Sequence, residues 1–112
     1  MSELDTSKQD GQSDDEEVER ARINSETAKI AWVELQRFFA QGLAIGVSPS
    51  LDLVEVAYQM SQDNGAQVDS WMQSGELSQV SDAQALEWLE ANALMWAVVI
   101  KPWVLVLSLI HI

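Results

Sequence analysis

Cysteine is absent from this chain of 112 residues, and histidine occurs once, as His111. Without thiols there is no disulfide, no sulfur-held zinc and no thiolate nucleophile. Cations are scarce too: six Lys and Arg stand against eighteen Asp and Glu, a formal net charge of −12. Nucleic-acid binding depends on clustered Lys and Arg displacing counterions from phosphates, so no nucleic-acid partner is expected. The opening MSELDTSKQD has neither the basic nor the apolar region of a secretory signal. A membrane span is missing as well. Leu94 to Ile110 approaches the ~20 apolar residues a span requires, but Lys101 near its middle costs about 2.5–3.5 kcal/mol on insertion. Pro102 beside it breaks the helix. These absences place the expected protein in a reducing cytoplasm, away from membranes, with peripheral association through the C-terminus ranked last among the readings.

What is present is a core. Hydrophobic residues make up 47% of the chain and include five Trp, enough for one compact domain. Residues 1–19 hold eight acids against Lys8 alone, so most of the charge sits at the start and the remainder is ordinary for a surface. Residues 1–13 are polar and aperiodic, and are expected to be a disordered acidic tail. A single α+β domain is expected over 14–106.

Ser13 and Glu16 have capping-box spacing, and Glu16 with Arg20 has ion-pair spacing, which predicts a surface helix over about 14–27. In IAWVELQRFFAQG, Trp32, Leu35, Phe38 and Phe39 form a helical face that Gly42 ends. Ala31 leaves open whether these two helices are continuous. LAIGV at 43–47 predicts a buried strand. Ser48 and Pro49 read as the start of a central helix, with Asp52 favouring its dipole. Val68, Trp71 and Met72 continue a helical pattern to Gly75, and Ser81 with Gln84 caps another helix carrying Ala85, Trp88 and Leu89. LMWAVVI at 94–100 has the unbroken apolar character of a strand covered on both faces, with Lys101-Pro102 bending or bulging it before WVLV. The expected architecture is thus four to five helices on a small, two-stranded antiparallel sheet formed by 43–47 and 94–106.

The last six residues, LSLIHI, reverse-translate as CTG TCT CTT ATA CAC ATC, the end of a transposase adaptor used in preparing sequencing libraries. Residues 107–112 are therefore expected to be a non-native adaptor translation that interrupts the frame after about Val106. The alternative is an apolar strand end. On the adaptor reading, the sole histidine leaves the functional argument.

The blocks ETAKIAWVELQRFFAQG, PSLDLVEVA and WAVVIKPWVLV, in that order over about Glu26 to Val106, resemble a family of small bacterial proteins known as domain of unknown function 2288. The resemblance implies no activity and no catalytic residues.

Triad chemistry lacks both cysteine and a usable base. Asp52 with Glu55, and Glu87 with Glu90, are i,i+3 pairs that a divalent metal or general acid–base site could use; the competing reading is solvated helix faces. Neither pair has a histidine or a third fixed ligand, so no cofactor and no metal are expected. The tryptophans are core residues first, yet indoles also concentrate at protein interfaces. A small sheet also leaves open edges, which favours a homo-oligomer or a protein partner. The expected protein is non-enzymatic and acts through protein contact, with Arg37, Trp71, Lys101 and Trp103 as candidate interaction residues. An enzyme using the paired carboxylates is the alternative.

Overall fold

The computed structural model describes residues 15–109. Helix α1 covers 15–26. It leads into strand β1 (Ala28–Ala31), a 3-10 turn (Trp32–Leu35) and the short helix α2 (Gln36–Ala40). Strand β2 (Ala44–Val47), helices α3 (Leu53–Ser61) and α4 (Gly65–Ser74), and strand β3 (Leu77–Gln79) follow. Helix α5 (Asp82–Glu90) and strands β4 (Leu94–Ile100) and β5 (Trp103–Ser108) complete the fold.

The α+β class stands, but the two-stranded sheet does not. The strands form one five-stranded mixed sheet in the order β1-β4-β5-β2-β3, in which β2 and β5 run parallel and the other neighbours antiparallel. Three features hid the extra strands. Residues 94–106 are two strands: the chain reverses at Lys101-Pro102, whose peptide bond is cis, and Ile100 pairs with Trp103. Proline suits this position because a turn residue needs no ladder N–H. The segment AKIA of β1 is half polar and short, and LSQ of β3 has no apolar alternation; each exists because a neighbouring strand offers it hydrogen bonds. The expected helix around Trp32 begins only after β1, so it is separate from α1.

Alternation along the strands builds two cores. Met95, Ala97, Val104, Val106 and Ala44 point to one face, where Trp32, Leu35, Ala85 and Trp88 cover them. There the Trp32 indole N–H donates to the Ala85 carbonyl at 3.0 Å, and the Trp32 and Trp88 rings meet edge to face with centroids 5.1 Å apart. Val98, Leu105, Ile45 and Val47 point to the other face, beneath Ile23, Leu53, Val56, Ala57 and Tyr58. The 3-10 turn, α2 and α5 thus cover one side, and α1, α3 and α4 the other. This explains the unbroken apolar run in β4, which is sheltered on both faces except at the exposed Leu94 and Val99.

Several local signals act as their chemistry requires. Ser81 and Gln84 form a reciprocal capping box, and Gly42 and Gly75 take left-handed φ values of 76° and 84° at the ends of α2 and α4. Arg20 pairs with Glu16 as the spacing suggests, at 3.7 Å. The start of α3 differs: Ser48 and Pro49 lie in a turn, and Asp52 is the N-cap, accepting from the Val54 N–H at 3.0 Å. Strand β5 runs on through Leu107 and Ser108, which pair with Trp96 and Met95. Residues 110–112, the tail over 1–13 and the cap at Ser13 lie outside the described residues.

Candidate interaction groove

Helix α3 crosses the sheet, and the chain then turns through Asp63, at φ 57°, to begin α4 behind the N-cap Asn64. Gly75 ends α4 and sends the chain into β3. This hairpin of helices stands over the β3 side of the sheet. Met60 of α3, Val68 and Met72 of α4, Ile45 of β2, Leu77 and Gln79 of β3, and Trp103 of β5 enclose an apolar groove of about 380 Å³. Met60, Val68 and Trp103 also wall a second cleft of about 350 Å³, which runs toward Lys101, Pro102 and the Asp63–Gly65 turn. Trp103 stands where the two meet.

The groove is bordered by a sheet edge. The backbone bonds from Ser48 to Glu76 and from Val80 to Ala44 show that residues 76, 78 and 80 turn their ladder groups toward β2. Leu77 and Gln79 therefore turn their N–H and C=O groups outward, and no strand lies beyond them among the described residues. The Gln79 side chain donates to the Gly42 carbonyl at 2.9 Å, which fixes one wall. Met72 is 45% exposed, a large apolar side chain held open to solvent at the rim. Methionines in such a place adapt to differently shaped apolar partners.

The four candidate interaction residues separate. Trp103 and Lys101 come together at the hairpin, with Trp103 half-buried and Lys101 exposed. Trp71 lies on α4 one position before Met72 and packs half-buried against the core. Arg37 belongs to α2 on the opposite side of the sheet, where its guanidinium lies 5.1 Å from the Phe38 ring centroid. In the sequence Val68 and Met72 stand out only as helical positions; methionine and valine on two consecutive helical segments, Met60 included, is the signal that points to the groove.

The paired carboxylates do not converge. Asp52 caps α3, while Glu55 accepts from Arg20 at 3.1 and 3.3 Å and from Gln59 at 2.7 Å. Glu87 and Glu90 are exposed on α5, across the sheet. Among the described residues no three His, Cys, Asp or Glu gather in a metal-binding group, and no helix is long and apolar enough to cross a membrane.

Comparison with known proteins agrees with the resemblance seen in the sequence. The NMR solution structure of PA1075 from Pseudomonas aeruginosa superposes with a TM-score of 0.73 at 42% identity, covering 81% of this chain and 84% of that one. No curated protein matches. The model of a family described as a protein of unknown function, DUF2288, matches residues 19–108, and with that span the chain belongs to the DUF2288 family.

Proposed function

We propose that this protein is a non-enzymatic binding module of the cytoplasm, and that the groove beside β3 takes an extended segment of a partner protein. One observation carries the reading: the outward backbone groups of Leu77 and Gln79 run along the lip of an apolar groove. An added strand would gain main-chain hydrogen bonds from that edge, while every second side chain entered the groove between Met60, Val68, Met72 and Trp103. Even without residues 1–19 the chain carries ten acids against five Lys and Arg, so a basic segment is drawn toward it and an acidic one repelled. The partner segment therefore alternates apolar residues with positions that include Lys or Arg.

The test is selection from a phage-displayed library of random linear peptides against the immobilised full chain. Enriched peptides should show this alternation, and Val68→Asp should weaken them at least tenfold while α5 keeps its native spectrum. Absence of enrichment, or binding indifferent to both Val68→Asp and Met72→Asp, would overturn the proposal.

A further inference from the structure

On the other face of β3 lies a further cleft, of about 300 Å³, at the carboxyl ends of the parallel strands β2 and β5. Its walls include Ser48, Glu76, Ser78, Gln84 and the largely buried Trp88. Glu76 is the only ionised side chain among the lining residues, and no cation pairs with it among the described residues.

Serine hydroxyls hold that carboxylate. The Ser48 and Ser50 oxygens are 2.9 Å apart, and Ser50 donates to Glu76 Oε2 at 3.0 Å. Ser74 Oγ lies 2.9 Å from Oε1 and 3.0 Å from the Trp71 carbonyl, so its single proton serves one of them at a time. A carboxylate oxygen offers about two lone-pair directions. Each oxygen of Glu76 thus keeps at least one acceptor site, so the carboxylate can still receive two N–H donors, one on each oxygen, while the serines hold it. That arrangement matches the paired N–H donors of a guanidinium, whose flat, weakly hydrated face also packs against aromatic rings such as Trp88.

We infer that the Glu76 cleft is a guanidinium-binding site, with Glu76 as the bidentate acceptor and Trp88 as the aromatic wall. An ammonium would form one point contact and leave the second acceptor idle. The site rests on its own geometry and does not depend on the groove across β3. The guanidinium comes either from a small molecule or from an arginine side chain.

Two probes separate those sources: agmatine, and the tripeptide glycyl-arginyl-glycine amide. Each is titrated into the ¹⁵N-labelled full chain, following the Trp88 indole N–H and the Glu76 amide. The expected result is saturable shifts at both positions, at least a tenfold loss with Glu76→Gln, a smaller loss with Ser50→Ala, and no response to the citrulline tripeptide. Tighter binding of agmatine assigns a small-molecule ligand; tighter binding of the tripeptide assigns an arginine of a protein. Equal response to citrulline, undiminished binding by a folded Glu76→Gln variant, or shifts confined to the acidic helix α1 would overturn the assignment.

Discussion

The Arg20 guanidinium lies 4.2 Å from the centroid of the Tyr58 ring. The same group pairs with Glu55 at 3.0 Å, so one side chain of α1 touches two residues of α3. Ile23, with 0% exposure, is inserted beside them as the apolar anchor. A solvent-accessible stack contributes ~0.5–1 kcal/mol, and partly exposed pairs add ~0.2–1 kcal/mol. Arg20→Ala should therefore destabilise the fold by about 1 kcal/mol in urea unfolding and speed amide exchange mainly in α1. Arg20→Lys should recover part of this, since the charge remains and the planar fork is lost. No change in α1 exchange would show that the helix is held by Ile23 alone.

Trp32 tests the opposite core. It is fully buried, and its N–H satisfies the Ala85 carbonyl. Trp32→Ala should cost about 3–5 kcal/mol through cavity formation. Trp32→Phe should cost less, retaining ring packing against Trp88 but losing a hydrogen bond worth ~0.5–1.5 kcal/mol. Equal losses for the two variants, read by chemical unfolding, would mean that the contact with α5 does not depend on ring volume.

The pair Glu19–Arg22 on α1 predicts a pH response. The hydrogen bond from Arg22 holds the Glu19 carboxyl below its ordinary value of 4.5; desolvation opposes this, and the charge of Arg22 assists it. A folded value below the unfolded one means the stabilisation is present above the ordinary carboxylate range and is lost as pH falls through the folded value. NMR titration of the Glu19 side chain should give a midpoint below that of an unstructured Glu, and salt should move it back. A midpoint at or above the ordinary value would contradict the pairing.

Local chemistry was the legible part of this fold. The Ser81–Gln84 box, the stops at Gly42 and Gly75 and the Glu16–Arg20 pair depend on residues a few positions apart, and each stands where its spacing places it. The two-sided shelter of β4 was legible too, because burial on both faces removes polar alternation. Sheet size was not. Strands β1 and β3 are short edge strands whose partners lie far along the chain, Met95 being 65 positions from Ile30 and Leu77 being 30 from Val47, so no local window contains the pairing that defines them. Lys101-Pro102 interrupts one apolar run, and a bulge and a reversal leave the same local trace. The groove was half legible: Trp103 and Lys101 stand out by composition, whereas Met60, Val68 and Met72 gather only once α3 folds back on α4.

The central claim, a partner segment seated along β3, is tested most directly by photo-crosslinking in living cells. A photoreactive phenylalanine analogue replaces Met72 at the groove rim or, in a second strain, Leu86, which is equally apolar and 56% exposed but lies on α5. The account predicts a discrete adduct with another protein from position 72 and none from position 86. No adduct from position 72, adducts only with a second copy of this chain, or the same adduct from both positions would contradict it.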